Sequence, residues 1–170
     1  MVSVLVDGNN LLHAAWNVEP ERPVGRSALC TTLGDWARRT GARIHVVFDG
    51  GSPNANLAAQ IGDRDVLTTF SGPGISADEL LLELIRKNSA PRRLVVVSSD
   101  RQIATAARRR RAQCAGSVRF WERVLRTLAS PAGSRELEPP AKRAGADAAE
   151  TEAWLREWGF DDEGAADSGR

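Results

Sequence analysis

Four aspartates in this sequence stand where carboxylates could act together. Three of them, Asp7, Asp49 and Asp100, follow apolar runs that are typical of strands. The fourth, Asp78, lies in the first turn of a predicted helix. In a parallel sheet all strands end at the same edge, and ligands bind outside that edge. The positions therefore predict that the four carboxylates converge at one edge of a sheet.

Converging carboxylates repel one another, by on the order of 4 kcal/mol for two charges ~4 Å apart at an effective dielectric of about 20. Protonation or a hard divalent cation would offset this repulsion. Oxygen ligands without nearby His or Cys favour Mg²⁺ or Mn²⁺ over Zn²⁺. Because such an ion polarises a phosphate and activates water for in-line attack, the cluster predicts metal-assisted hydrolysis of a phosphodiester bond.

Polar residues next to these aspartates are the candidates for binding the substrate. Asn9 and Asn10 follow Asp7, and they could position a phosphate or hold the Asp7 loop. Ser99 and Arg101 flank Asp100, and we expect Arg101 to contact the scissile phosphate. Lys and Arg side chains are the groups that neutralise phosphates when a protein binds a nucleic acid.

Each candidate also has a purely structural interpretation. Asp7 and Asp49 could simply form turns, because Asp is frequent there. Asp78 lies within a capping-box pattern, Ser76 to Glu79, which explains Ser76 and Glu79 but not Asp78. A first-turn acid such as Asp78 does suit the helix dipole. Asp100 could cap a helix, although Ser99 with Gln102 forms a second capping-box pattern. The functional interpretation depends on the four acids lying at one edge.

The elements that must position these residues alternate along the chain. Strands are predicted at Val2–Val6, Ile44–Phe48, Asp65–Phe70 and Leu94–Val97, with a short fifth at Ser117–Phe120; helices are predicted at Arg26–Thr40, Ser76–Lys87 and Gln102–Arg111, and after the fifth strand through Leu128. Alternating strands and helices predict an α/β fold with helices on both faces of a mostly parallel sheet of about five strands. Apolar strands fit burial on both faces.

The chain divides by composition into a domain and a tail. Residues 1–129 carry the strands and helices, and residues 130–146 are rich in Pro, Gly and Ala and predict a linker. Residues 147–160 predict a helix that docks on the domain, because exposed tryptophans such as Trp154 and Trp158 are costly. Residues 161–170 predict a disordered end.

Composition limits the classes of function. The net charge of +1 does not indicate any class of binding partner. The charges are unevenly distributed, because residues 86–126 contain 12 Arg or Lys and two acids, whereas residues 147–170 contain eight acids and two Arg. Arg108–Arg111 ends the helix that begins beside Asp100, so this run should lie away from the acids. Without an apolar run of ~20 residues or a signal peptide, we expect a cytoplasmic protein that does not span a membrane.

Four motifs together resemble a known family. The segments Val-Asp-Gly-Asn-Asn-Leu (6–11), Val-Phe-Asp-Gly (47–50), Ser-Ala-Asp-Glu-Leu (76–80) and Val-Ser-Ser-Asp-Arg-Gln-Ile (97–103) are similar to the NYN domain, in its YacP-like branch of the PIN-like ribonucleases. The similarity covers about residues 2–128. One departure is that many members have a Tyr in the first motif, whereas this chain has Asn9-Asn10 and no Tyr.

This resemblance implies a three-layer α/β/α PIN-like nuclease domain that uses Mg²⁺ or Mn²⁺ to cleave RNA as an endonuclease. It implies Asp7, Asp78 and Asp100 as catalytic, metal-binding acids, Asp49 as a further acid, and Asn9 as a polar residue near the metal. Family members sometimes act on RNA at the ribosome.

Other classes of function fit the sequence less well. A non-catalytic, ribosome-associated RNA-binding module is the main alternative. A phosphatase with an aspartyl nucleophile would need a second Asp two residues after the first, where Asn9 stands. A nucleotide-binding switch would need a glycine-rich loop after the first strand, and none follows it.

Overall fold

The computed structural model describes residues 2–51 and 66–130. In this part of the chain the strands are β1 (Ser3–Asp7), β2 (Arg43–Phe48), β3 (Val66–Phe70), β4 (Leu94–Val97) and β5 (Gln113–Ala115). The helices are α1 (Gly8–Val18), α2 (Arg26–Thr40), α3 (Ala77–Lys87), α4 (Arg101–Arg109) and α5 (Ser117–Ala129), with a 3₁₀ turn at Pro91–Arg93. The predicted linker beyond Ser130, the helix 147–160 and the tail 161–170 lie outside the described residues.

The five strands form one sheet in the order β3-β2-β1-β4-β5, and every neighbouring pair is parallel. The α/β class and the parallel sheet predicted from the sequence are confirmed. The central strands are buried on both faces, as the unbroken run Leu94–Val97 shows. The order places the carboxyl ends of β1, β2 and β4 side by side at one edge, which we call the carboxyl edge.

Helices cover both faces of the sheet and bury two clusters of apolar side chains. Valines of β1, β2 and β4 that point to one face pack with α1, α2 and α5, and Trp36, Phe120 and Trp121 complete this larger cluster. On the other face, Leu5, Val47 and Val96 of the sheet are covered by residues of α3 and α4. The domain is therefore a three-layer α/β/α sandwich.

Helix α1 is the main element that sequence reasoning did not predict. The turn-forming residues Asp7-Gly8-Asn9-Asn10 allowed a turn after the first strand, but a helix begins at Gly8, immediately after that strand. Asp7 is the reason, because its side chain accepts a hydrogen bond from the Asn10 backbone and so caps the helix. The last residue of β1 is thus also the cap of α1, which fixes its side chain at the carboxyl edge.

The predicted position of the fifth strand was wrong. The strand is Gln113–Ala115, whereas Ser117–Phe120 is the first turn of α5. The apolar side chains at Val118 and Phe120 suggested alternation with a period of two. In the structure Phe120, Trp121 and Val124 share one buried helix face, and their spacing of three to four residues is that of a helix.

No helix within residues 2–51 and 66–130 combines the length and apolar content that crossing a bilayer requires.

Candidate active site

Asp7 is the most buried of the four aspartates, with 4% of its surface exposed. Its Oδ1 accepts a hydrogen bond from the Asn10 backbone N–H at 3.0 Å, and its Oδ2 accepts one from the Ser98 hydroxyl at 3.0 Å. Burial raises the pKa of Asp7, and the charges of Asp78 and Asp49 raise it further, against the lowering effect of the two hydrogen bonds. Asp7 is therefore a desolvated carboxylate that is repelled by the charges of Asp78 and Asp49.

Gly8 allows the close approach that puts Asp7 beside the end of β2. A Cβ at this position would lie 2.5 Å from the Phe48 ring and 2.8 Å from the Val47 carbonyl oxygen. Sequence reasoning did not single out Gly8. The available signal was a glycine directly after a buried strand, where glycine often marks a close approach of another backbone.

Asp49 connects three elements at the carboxyl edge. It follows β2, its Oδ1 accepts a hydrogen bond of 2.6 Å from the Ala77 backbone N–H, and its Oδ2 accepts one of 2.8 Å from the Asn9 side-chain amide. Ala77 is the first residue of α3, so the bond satisfies one of the free N–H groups of that helix start. Asp49 thereby fixes the beginnings of α1 and α3 relative to β2.

Asp78 is exposed and makes no hydrogen bond or ion pair with any described residue. It lies in the first turn of α3, whose predicted Ser76–Glu79 capping box is present. Partial burial raises the pKa of Asp78, and the charges of Asp100 and Asp49 add to this effect. The charge of Asp78 in turn raises the pKa of Asp7, so Asp78 interacts electrostatically with all three other acids.

Asp100 caps helix α4. Its Oδ1 accepts hydrogen bonds from the backbone N–H groups of Gln102 and Ile103, at 2.6 and 3.1 Å. Of the two caps that the sequence allowed, Asp100 and Ser99, the structure has the one at Asp100. Only Oδ1 is used in these bonds, so Oδ2 is left for a ligand.

Ser98, which sequence reasoning missed, joins two of the acids. Its hydroxyl donates to Asp7 Oδ2 and accepts a hydrogen bond from the Asp100 backbone N–H, both at 3.0 Å. Ser98 is buried, and it is separated from Asp7 by 91 residues of sequence. A serine directly after the apolar run of β4 was the only sequence signal.

Asn10 has a structural role, since it joins the first turn of α1 to two other elements of the carboxyl edge. Its side-chain oxygen accepts hydrogen bonds from the Ser99 backbone N–H at 3.3 Å and from the Ser117 hydroxyl at 2.7 Å. Ser117 is fully buried, and its backbone N–H donates to the Ser99 hydroxyl at 3.2 Å. Asn10 and Ser99 therefore connect the beginnings of α1 and α5 with the loop after β4.

Arg26 adds a positive charge on the far side of the cluster. Its guanidinium lies 5.1 Å from the centroid of the Phe48 ring and 5.8 Å from that of Phe70, and it donates a 3.4 Å hydrogen bond to the Asp49 carbonyl. None of the four aspartates forms an ion pair with Arg26 or with any other residue in the described part of the chain. Their negative charge is thus not neutralised by neighbouring side chains.

The donor atoms suit a hard divalent cation, because all four residues offer carboxylate oxygens. Asp78 and Asp100 keep oxygens that accept no hydrogen bond from described residues, and a carboxylate such as Asp7 has about four acceptor positions, of which two are used. In the two described ranges, no three acidic, His or Cys side chains converge closely enough to form a metal centre. The donor type fits Mg²⁺ or Mn²⁺, and the carboxylates are held at neighbouring positions rather than around one point.

A three-layer α/β/α domain with an unneutralised group of aspartates at the carboxyl edge is the arrangement that the PIN-like resemblance predicts. The chain matches the family described as the YacP-like NYN domain over residues 4–152. It therefore belongs to the YacP-like NYN family, a family of PIN-like ribonuclease domains.

Two solved structures support the same fold. The chain is similar to the crystal structure of Rae1 (YacP) from Bacillus subtilis, with a TM-score of 0.54, 25% identity, and coverage of 75% of this chain and 78% of that one. It is also similar to the structure of a Rae1 mutant in which one tryptophan is replaced by leucine, with a TM-score of 0.56, 24% identity, and coverage of 75% and 79%. No curated protein sequence matches significantly.

Proposed function

We propose that this chain is a metal-dependent ribonuclease that hydrolyses phosphodiester bonds of RNA, acting as an endonuclease in the cytoplasm. The observation that carries the proposal is a group of four aspartates at one sheet edge that no described cation neutralises. The charges of Asp49 and Asp78 raise the pKa of Asp7, those of Asp49 and Asp100 raise the pKa of Asp78, and the Ser98 hydroxyl links Asp7 to Asp100. Membership of a ribonuclease family supports the choice of RNA as the substrate class.

In this proposal Asp7, Asp78 and Asp100 hold Mg²⁺ or Mn²⁺. Asp49, the fourth predicted ligand, already accepts two hydrogen bonds, so we propose that it mainly positions the others. A bound Mg²⁺ would supply positive charge at the phosphate and would ease deprotonation of the attacking water. Asp78 is the ligand best placed to meet the substrate, because it is exposed and has no described partner.

The remaining residues of the site prepare these carboxylates. Ser98 holds Asp7 in place through its hydroxyl, and Asn10 with Ser99 keeps the loop after β4 against α1. The Asn9 amide restrains Asp49. Arg101 is exposed, makes no hydrogen bond within the described part of the chain, and follows Asp100 directly, so we propose that it binds a substrate phosphate.

A non-catalytic RNA-binding module remains the second candidate, and one observation favours it. Asp7, Asp49 and Asp100 all accept structural hydrogen bonds, and no described group of side chains is already arranged around a metal position. In that case the acids would stabilise helix starts, and RNA would bind without being cut. Such a module could act at the ribosome.

Cleavage of a labelled, mostly single-stranded RNA separates the two candidates. The wild-type protein is assayed with Mg²⁺, with Mn²⁺ and with chelator, beside Asp7→Asn and Asp100→Asn. Cuts that need the metal and are lost in both variants would support the nuclease. Binding without cuts, both for free RNA and for mRNA on ribosomes, would support the binding module.

A further inference from the structure

A groove of about 330 Å³ leads away from the acidic cluster along helix α4. Asp100 and Ser98 line the end of this groove that adjoins the cluster. Arg101, Thr105 and Arg108 form one wall, and Cys114 and Gly116 lie on the other side. We call this feature the α4 groove. It connects directly with the candidate active site.

The α4 wall carries two arginines in helical register. Arg101, Thr105 and Arg108 are four and seven residues apart, so their side chains lie along one helix face. All three are exposed, and the guanidinium group of neither arginine forms an ion pair or hydrogen bond with the residues that the structure describes. The two guanidinium groups are therefore available to a ligand.

Only one residue of the four-arginine run belongs to this groove. Arg108 lines it, whereas Arg110 donates a 2.8 Å hydrogen bond to the Asn88 carbonyl at the end of α3. Arg109 is exposed but does not line the groove. The run lies at the end of α4 away from the acids, as expected. Arg108 nevertheless lines a groove that begins at Asp100.

The opposite wall also favours negative charge. Helix α5 has 13 residues and begins after Gly116, which provides no side-chain cap. A Cβ on Gly116 would have no neighbour within 4 Å, so the backbone faces open space at this point. The Ser117 N–H already donates to the Ser99 hydroxyl, so the attraction at this helix start comes from the helix dipole, which favours negative charge. Both walls of the α4 groove are thus suited to a polyanion.

We propose that the α4 groove binds the sugar–phosphate backbone of a single RNA strand next to the phosphodiester that the acids cleave. This inference rests on the proposed function and names the path of its substrate. Arg101 and Arg108 are about 10 Å apart along the helix axis, which corresponds to roughly three stacked nucleotides at about 3.4 Å each.

Binding is measured first without cleavage, as the fluorescence anisotropy of a labelled single-stranded oligoribonucleotide in chelator at several salt concentrations. Arg108→Ala and Arg101→Ala should each weaken binding several-fold and reduce the slope of log K against log salt by about 0.7. Arg109→Ala is the matched control, since it removes an equal charge outside the groove, and it should keep the wild-type slope.

Two further variants change the groove without removing an arginine. Thr105→Glu places a negative charge between the two arginines and should weaken binding at least as much as Arg108→Ala. Thr105→Gln adds similar bulk without charge and should bind more tightly than Thr105→Glu. Because Thr105 is exposed on a helix and both replacements are good helix formers, folding should be unaffected.

The outcomes separate this inference from the proposed function. If Arg108→Ala and Thr105→Glu bind RNA with wild-type affinity and slope, or if Arg109→Ala loses as much as Arg108→Ala, the groove is not the path, whether or not the wild type cuts RNA. If the groove variants lose binding while the wild type cuts no RNA with Mn²⁺, the groove stands and the nuclease assignment fails.

Discussion

The Ser98 hydroxyl donates a 3.0 Å hydrogen bond to the buried carboxylate of Asp7. The same hydroxyl accepts the backbone N–H of Asp100, so one oxygen atom fixes two of the proposed metal ligands relative to each other. This contact joins the ends of the neighbouring strands β1 and β4, although Asp7 and Ser98 are 91 residues apart in the sequence.

Replacing Ser98 with Ala should impair catalysis and stability together. The change leaves Asp7 Oδ2 and the Asp100 N–H without partners, at a cost of about 1–3 kcal/mol. Loss of a residue that orients metal ligands should reduce metal affinity or activity about 10–100-fold. Urea unfolding and RNA cleavage measure the two effects, with the exposed Ser89→Ala as control. Wild-type cleavage by Ser98→Ala would show that this contact does not position the acids.

Gly8→Ala should destabilise the domain through a backbone clash. The new Cβ would lie 2.8 Å from the Val47 carbonyl oxygen, which cannot rotate away. Overpacking of this kind costs about 1–3 kcal/mol. In Gly25→Ala the new Cβ meets nothing within 4 Å, so the change should stay below about 1 kcal/mol. Equal unfolding free energies for the two variants would contradict the close approach at Gly8.

Asp7→Asn should raise the stability of the metal-free protein at neutral pH. Burial is the main reason why the pKa of Asp7 is raised in the folded state. A charged Asp7 therefore has a higher free energy in the folded protein than in the unfolded chain. The contribution of Asp7 to stability is therefore largest below its ordinary pKa near 3.9, and it decreases as the pH rises through the raised value. The variant, which carries no charge, avoids this cost. Its melting temperature in chelator is the measurement, and a lower value than wild type would contradict the prediction.

The same variant should lose its response to metal. Mn²⁺ at about 100 times its Kd should stabilise the wild-type protein by about 2.7 kcal/mol. Asp7→Asn should gain much less at the same Mn²⁺ concentration, because it lacks one proposed ligand. Thermal unfolding with and without Mn²⁺ gives the comparison. An equal gain in both proteins would remove Asp7 from the proposed metal site.

Arg26→Ala should loosen the Asp49 turn. The guanidinium lies against Phe48 and Phe70 and donates to the Asp49 carbonyl, contacts that together contribute about 1–2 kcal/mol. We expect a loss of this size in urea unfolding, with reduced RNA cleavage. Arg22→Ala is the control, because Arg22 is an exposed loop residue. Identical unfolding of the two variants would argue against an anchoring role for Arg26.

The sequence predicted most of the fold because burial leaves a clear pattern. The apolar runs of β2 and β4 and the helix Arg26–Thr40 were found within a residue or two. Helix α1 was missed because Asp7-Gly8-Asn9-Asn10 has turn-forming residues, and only the structure shows that Asp7 caps a helix. The misplaced fifth strand came from a segment too short to separate the two periods.

The candidate site was predictable in part for a topological reason. Parallel strands end together, so the four aspartates could be assigned to one edge without knowledge of any contact. The roles of Ser98 and Ser117 could not be predicted, because each depends on a partner that is distant in sequence, Asp7 and Asn10 respectively. A serine has no periodicity that would indicate such a partner.

Cleavage of single-stranded RNA by Asp78→Asn tests the central claim most directly. Asp78 is exposed and has no hydrogen bond to a described residue, so its replacement should leave the fold intact. Asp35→Asn, a change at an exposed residue that pairs with Arg38, is the matched control. If the acids act together on a metal ion, the wild type and Asp35→Asn cut RNA with a rate that saturates with Mn²⁺, and Asp78→Asn is slower by about 100-fold or more. Wild-type cleavage by Asp78→Asn would contradict the account.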